Sequence, residues 1–395
     1  MGKKTTVVFI TMIISLYLIL IVGKINKLFI QSDNLRIIIL IILVLYTFFG
    51  IWRQILKPGI ARKFLSALLI YVLLLFIHII IDNSYSAQEM LNYLFMPLTF
   101  IASLCVYNRV NDKNKLNAVT RIQYLSLITF FIIYVYGRIV CGISSGTIIN
   151  TAYYQVTLLP FILYIRKPVF KNIGILLILF TTLFSMKRAA LLAIIAAIAV
   201  VLYIESDNYG KRKNSIKIIG KIVVVIVIFF VLNGLIQHNY GFSMVNKIID
   251  LTNDGGSGRI NLLSAYINNI SNNSFLEHLL GNGLENSSEI IGEHSIHNDF
   301  LEVYYRLGLI GLLIYLNIYR LLLKCAQKIK NTILELYPTF LASIIMFTII
   351  SSSSMLIFVP SYIVSFCVFW SFCIARVGLI KKDNEKLESS NKQIL

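Results

Sequence analysis

The sequence predicts an all-α polytopic membrane protein of about twelve transmembrane helices with one long extracytoplasmic loop, and three observations predict it. The 395-residue chain is 57% hydrophobic and only 14% charged, with a mean hydropathy of +0.79. A soluble protein of that size lacks the interior to hide so much apolar surface. The apolar residues also come in runs near the length of about 20 that a spanning helix needs. Finally, Lys and Arg alternate between successive short connections, as they do when loops alternate between the two sides of a membrane.

In chain order the runs lie at 6–23, 35–52, 64–81, 90–107, 121–140, 150–165, 172–186, 189–204, 216–236, 298–323, 337–357 and 358–377. The first follows Lys3 and Lys4 and has the outline of a signal peptide, but no small-residue cleavage site comes after it, so it is read as a span. The sixth is short and carries Pro160, and the last two are barely separated. With the N-terminus inside, the basic segments 53–63, 109–121, 166–171, 211–221 and 324–330 and the pair Lys381-Lys382 all fall on the cytoplasmic side. Most of the 36 Lys and Arg are then inside, and the larger share of the 18 acids is outside. Both termini are expected in the cytoplasm. The net charge of +18 thereby reflects orientation and contact with anionic lipid, and no nucleic acid is implied. The five cysteines, Cys105, Cys141, Cys325, Cys367 and Cys373, lie in spans or at their ends without paired loop spacing, as buried structural thiols do.

The expected organisation is a membrane domain over 1–236 with about nine spans, a large extracytoplasmic loop over 237–296 with short helices, three further spans over 297–377, and a cytoplasmic polar tail over 378–395. Such a long loop with structure of its own is usually functional. It contains Asn253-Asp254-Gly255-Gly256-Ser257-Gly258, an amphipathic stretch over 259–270, and Gly281-Asn282-Gly283. It delivers the chain to the junction around which the rest is organised, His294-Ser295-Ile296-His297-Asn298-Asp299-Phe300-Leu301-Glu302-Val303-Tyr304-Tyr305-Arg306-Leu307-Gly308. Two imidazoles, two acids and an arginine there meet the start of an apolar helix, where each ionisable group costs about 2.5–3.5 kcal/mol to insert. A second irregularity is Lys187-Arg188, in a tight turn on the outer side, against the charge bias. These side chains either snorkel to the interface or meet an anionic substrate group.

All five histidines (His78, His238, His278, His294, His297) fall on or near the outer side, as do Arg138, Arg188, Arg259 and Arg306. The combination suits transfer onto a hydroxyl from a phosphate-activated donor: a neutral imidazole accepts the proton, and a guanidinium matches phosphate oxygens as a planar fork. His294-x-x-His297, flanked by Glu293 and Asp299, offers a metal site as the alternative, although its spacing is not that of the helical zinc motif. Glu302 and Arg306 stand four apart with the acid first, so they can pair on one helix face. Asp299 can simply favour the positive helix N-terminus.

His297-Asn298-x-x-Leu301, followed by a span with Gly308, resembles the signature of the O-antigen ligase and O-antigen polymerase superfamily, the bacterial surface-polysaccharide polymerases among them. Ser257-Gly258-Arg259 and Gly281-Asn282-Gly283 resemble that family's large loop, and Ser185-x-x-Arg188 matches another recurring position, with Lys187 where a small or polar residue is common. The resemblance implies a GT-C-like membrane glycosyltransferase that works outside the cytoplasmic membrane on a polyprenyl-diphosphate-linked glycan donor and a glycan acceptor. It implies no cofactor, neither nucleotide sugar nor metal. His297, Arg259 and Arg188 are the implied catalytic residues, the first acting on the acceptor hydroxyl and the arginines holding the diphosphate as charge builds on it. Lys187, Asn298, His294, Glu302, Arg306 and Arg138 are the further candidates for substrate binding. Membrane lipid, a chain-length regulator and a flippase are candidate partners.

Two other readings stay open. A ligase would move the finished glycan to a lipid or wall acceptor, and nothing in the sequence chooses the acceptor. A lipid-linked glycan flippase or other transporter would share the span number, but should carry polar residues deep within several spans and commonly an internal repeat. Here the polar groups gather at one rim.

Overall fold

The computed structural model describes residues 3–28, 33–55, 59–81, 87–110, 113–140, 151–208, 259–284, 297–354 and 360–392, with isolated positions between 227 and 238. Every regular element among them is helical. These are α1 (Lys3–Ile25), α2 (Asp33–Ile55), α3 (Ile60–Ile81), α4 (Ala87–Tyr107), α5 (Lys113–Ile139), α6 (Ala152–Val156) and α7 (Leu159–Tyr164). They continue as α8 (Pro168–Phe184), α9 (Arg188–Asn208), α10 (Arg259–Ser271), α11 (Phe275–Leu280), α12 (Asp299–Thr332), α13 (Tyr337–Ser351) and α14 (Pro360–Lys392). Seven of these helices are long and apolar enough to cross a membrane, and Tyr93–Tyr107, Pro168–Phe184 and Tyr337–Ser351 are shorter apolar helices. The chain is a helical, polytopic membrane protein. The expected ninth span, 216–236, lies almost wholly outside the described residues, as do most of 237–258 and all of 285–296.

Two expected spans take a different form. The sixth, 150–165, is not one helix over its described part but the short pair α6 and α7, interrupted at Thr157 and Leu158. Pro160 sits in the first turn of α7, where its missing N–H and fixed φ are tolerated; inside a continuous helix it would clash with the carbonyl four residues earlier. The break is bridged by local backbone bonds, the Thr157 amide donating to the Tyr153 carbonyl at 2.9 Å and the Phe161 amide to the Leu158 carbonyl at 3.0 Å, while the Thr181 hydroxyl, donating to the Gln155 side-chain Oε1 at 2.7 Å, ties α6 to α8. The tenth is broken at Gly308, whose backbone (φ 64, ψ −164) is not helical. Elsewhere helices outrun the apolar runs, α14 reaching Lys392, because no residue past the run stops the helix.

The core is built along α14. The window Tyr362–Ile380 is 83% buried, whereas Asn34–Ile51 of α2 is 28% buried and lies at the periphery. Trp370 of α14 donates to the Ser343 hydroxyl at 3.0 Å and stacks on Phe366, joining α14 to α13. The same helix packs along α4, while α1 packs on α5 and α3 on both α4 and α12. Without a hydrophobic force between helices in lipid, close backbone approach drives association. That explains the fully buried stripe Ala190, Ala193 and Ala197 on α9, the helix that packs most closely along α13.

Contacts between helix ends agree with the expected alternation of sides. Arg166 pairs with Glu335 at 2.5 Å, joining two connections both assigned to the cytoplasm. Arg109 Nη2 donates to the Gly50 carbonyl at 3.2 Å, again two ends of one side. At the opposite end Arg138 reaches Phe184, Asn298 reaches Ser352, and Tyr93 reaches Leu284.

Candidate active site

The head of α12 is built by its capping residue. Asn298 is extended (φ −142, ψ 115), and its Oδ1 accepts from the amides of Phe300 at 3.0 Å and Leu301 at 3.2 Å, satisfying two of the donors that a helix start leaves open. Its Nδ2 donates to the Ser352 carbonyl at 3.3 Å, tying the head of α12 to the end of α13. One residue earlier His297 is exposed and holds a left-handed backbone, φ 54. That conformation is uncommon outside glycine and costs on the order of 1–3 kcal/mol, so it persists only where the surroundings enforce it. Here the cap and the Ser352 tether fix the residue after it. His294 lies outside the described residues.

Beneath this head the three charged residues of the first turns are buried. Arg306 Nε and Nη2 both donate to Glu302 Oε1 at 2.7 Å, the expected i,i+4 pair. Arg306 Nη1 donates to the Leu284 carbonyl at 2.8 Å and to the Tyr93 hydroxyl at 3.2 Å. Asp299 accepts from Tyr315 at 3.2 Å, and the Tyr315 hydroxyl also meets Ser351 at 3.1 Å. Charges in so dry a place are tolerated only when paired and hydrogen-bonded. Glu302 and Arg306 thus bind the head of α12 to the bundle and to the returning loop, withdrawn from the surface.

The break at Gly308 is closed by that loop. Interrupting the helix removes the intrahelical partners of the Tyr305 and Arg306 carbonyls. The amides of Asn282 and Gly283 donate to them at 2.8 and 3.2 Å. The fit excludes any Cβ: one on Gly308 would come within 2.4 Å of the Leu279 carbonyl carbon, and one on Gly281 within 2.3 Å of the Arg306 carbonyl. Both glycines have positive φ, 64 and 89, which only glycine adopts at no steric cost.

Arg259 opens α10. Seven residues on, at the same helical register, Tyr266 is buried against Tyr305, with ring centroids 5.7 Å apart, and its hydroxyl donates to the Leu301 carbonyl. Burial, with the Glu302 carboxylate second, holds the Tyr266 phenol well above its ordinary pKa, so it stays a donor. This docking brings the helix of Arg259 against the His297-bearing head.

The second station is the turn between α8 and α9. Met186 is left-handed (φ 54), its amide bonds the Leu183 carbonyl at 3.1 Å, and that of Lys187 bonds Thr182 at 3.5 Å. This is the Schellman pattern, with methionine where glycine is usual. Lys187 Nζ lies 5.7 Å from the Tyr153 ring centroid, and Arg188 begins α9. Arg138 supports the turn: its Nη2 donates to the Phe184 carbonyl at 3.2 Å and its Nε to the Tyr134 hydroxyl at 3.2 Å, which also accepts from Ser185 at 3.1 Å. A cation at the end of α8 also complements the helix dipole.

The two stations share one end of the bundle. The Arg166–Glu335 pair puts the starts of α8 and α13 at one end, so α9, which returns from the far end of α8, packs antiparallel along α13, and the start of α9 at Arg188 lies on the same side as the end of α13 at Ser352. His297, Asn298 and Arg259's helix form one cluster, with Arg138, Lys187 and Arg188 forming the other; α13 links them. Sequence reading missed the residues that fix this geometry: Tyr93, Tyr134, Tyr266, Leu284 and Ser352. Only Tyr266 left a signal, an aromatic residue at heptad distance from Arg259 in a polar loop. Among the described residues no group of three or more His, Cys, Asp or Glu converges as a metal site.

No curated protein matches the chain. Residues 173–316 match the model of the family described as O-antigen ligase, a stretch that contains every candidate residue except Arg138. The match spans both strained turns, the α10 docking and the broken helix. Over residues 173–316 the chain is thus similar to the O-antigen ligase family, the superfamily that its His297-Asn298 element resembles.

Proposed function

We propose that the protein polymerises polyprenyl-diphosphate-linked oligosaccharide repeat units into a surface polysaccharide at the outer face of the cytoplasmic membrane. The observation that carries this reading is the exposed, left-handed His297, held by a capped and tethered helix head inside the segment that matches O-antigen ligases. In the proposed step an acceptor hydroxyl oxygen attacks the anomeric carbon of the donor glycan. The hydroxyl proton passes to His297, a new glycosidic C–O bond forms, and the C–O bond to the diphosphate breaks. The lipid diphosphate leaves with the electron pair. Arg188 and Arg259 receive the charge that builds on it, which is where positioned guanidinium groups stabilise most. Lys187 adds a second cation, Asn298 and Arg138 hold the two turns in place, and His294 stands three residues from the base. The step needs no metal, and the lipid tail enters sideways between helices.

The grouping of buried charged side chains favours an enzyme over a transporter. Among the described residues His78, Asp299, Glu302 and Arg306 are the buried His, Asp, Glu, Lys or Arg, and all belong to one end of the bundle. The description of the matched family favours a second reading, ligation of a finished glycan. Glycan analysis of a deletion strain separates the two: single repeat units on the carrier lipid mark a polymerase, and full-length polymer on the carrier marks a ligase. Complementation with His297→Ala at normal protein level should reduce transfer by about 10²–10⁴. Full-length product from that variant would remove His297 from the mechanism, and activity lost to EDTA and restored by zinc would replace it with a metal site.

A further inference from the structure

A pocket separate from the two stations lies between the last turn of α3 and α11, with a volume of about 420 Å³. Its walls are apolar and come in pairs one helical turn apart, Ile77 and Ile81 on α3 and Leu276 and Leu280 on α11. Its remaining lining is polar: the buried His78, the Glu277 carboxylate and the Gly281-Asn282-Gly283 backbone. We propose that this pocket holds a sugar residue of the acceptor glycan, remote from the hydroxyl that reacts. The proposal rests on the glycan-transfer reading above.

The chemistry of the lining selects that ligand. A pyranose offers flat C–H faces to apolar walls and a rim of hydroxyls to hydrogen-bonding groups, and the pocket supplies both. An isoprenoid chain would press hydrocarbon against the Glu277 carboxylate and the polar edges of His78 and Asn282 and offer them no hydrogen bond in return. A diphosphate would meet a like charge, since the Ser274 amide and hydroxyl hold the Glu277 carboxyl below its ordinary pKa and hence ionised. Glu277 already accepts from the Ser274 amide at 2.6 Å in the capping box of α11. A carboxylate has lone pairs for further donors, and sugar hydroxyls are donors.

The position fits as well. Asn282 and Gly283, which line the pocket, are bonded to Tyr305 and Arg306 across the helix break. Those residues lie seven and eight positions from Asn298, or about 11–12 Å along the helix. A glycan seated in the pocket is therefore held against the element that carries His297 while its reactive end stays free to reach it. Such a subsite would select acceptors by a sugar that takes no part in bond formation.

The probe for the test is the free repeat-unit oligosaccharide, released by mild acid from the carrier lipid of producing cells and titrated calorimetrically into the purified full chain. Leu276→Trp and Ile81→Trp fill the pocket from opposite walls, at positions 64% and 71% exposed, where folding is least at risk. Both should weaken binding at least tenfold relative to wild type while the thermal unfolding midpoint is unchanged, and His297→Ala should bind like wild type. Inorganic pyrophosphate should not compete. Unchanged affinity in both tryptophan variants, absence of binding by wild type, or competition by pyrophosphate would each overturn the assignment. Binding that both tryptophans abolish, in a wild-type protein that transfers no glycan, would uphold the pocket and overturn the transferase reading instead.

Discussion

At the scale of single residues, the informative feature is that two of the three left-handed non-glycine backbones among the described residues flank the candidate chemistry, Lys27 being the third. His297 precedes Asn298 and Met186 precedes Lys187, with φ 54 at both. Strain of this kind needs neighbours that enforce it, and here the neighbours are the Asn298–Ser352 tether and the Arg138–Phe184 bond. The arginines consequently separate into two kinds. Arg188 opens α9 just beyond the turn, whereas Arg138 is spent on a carbonyl, a phenol and a ring face 5.3 Å away. Arg188→Lys should lose most transfer activity, because a point charge does not replace a planar fork. Arg138→Lys keeps a cation at the α8 terminus and forfeits one hydrogen bond, worth about 0.5–1.5 kcal/mol, so its activity should stay within about tenfold of wild type. Initial transfer rates in membranes at matched protein level check both. Equal losses at the two positions would make Arg138 a substrate contact.

At the scale of elements, α12 is two helices joined by a glycine, and the segment after α11 completes the joint. The break exposes two carbonyls and the loop supplies two amides, so neither piece is satisfied without the other. A side chain at Gly308 would force the two backbones apart as well as strain φ. Gly308→Ala should therefore destabilise the protein by roughly 2–5 kcal/mol. The control is Gly378→Ala on α14, where a Cβ meets nothing within 4 Å and a helix gains about 0.5–1 kcal/mol from the change. Thermal unfolding in detergent compares them. A Gly308→Ala protein as stable as Gly378→Ala would mean that the loop does not dock at the break.

At the scale of the whole molecule, the question is which end of the bundle faces outward. The contacts between helix ends group the connections into two sides, and the charge bias predicts that the basic side is the cytoplasmic one. A reporter active only outside should work when fused near Asn272, and one active only inside should work near Asn208. The fluorescence or enzymatic signal of such fusions in whole cells is the measurement, and reversed signals at both positions would place the His297 station in the cytoplasm.

The sequence by itself determined the helical membrane class, most span positions, the amphipathic helix now seen as α10, the start of α12 at Asn298 and the Glu302–Arg306 pairing. Each of these follows from local chemistry: apolar runs need lipid, a side-chain amide caps a helix, and residues four apart share a face. Pro160 and Gly308 were visible too, but whether such a residue breaks a helix depends on what satisfies the freed backbone groups. At Pro160 local turn bonds such as Leu158 with Gln155 settled it, and at Gly308 partners distant in the chain did, Asn282 with Tyr305. Tertiary structure alone decided that Arg306 is buried with Tyr93 and Leu284, that Arg138 braces the turn before Arg188, and that Tyr266 brings α10 to the His297 helix. Hydrogen bonds of that range carry no periodicity in sequence, because they join surfaces that meet only after the helices have packed.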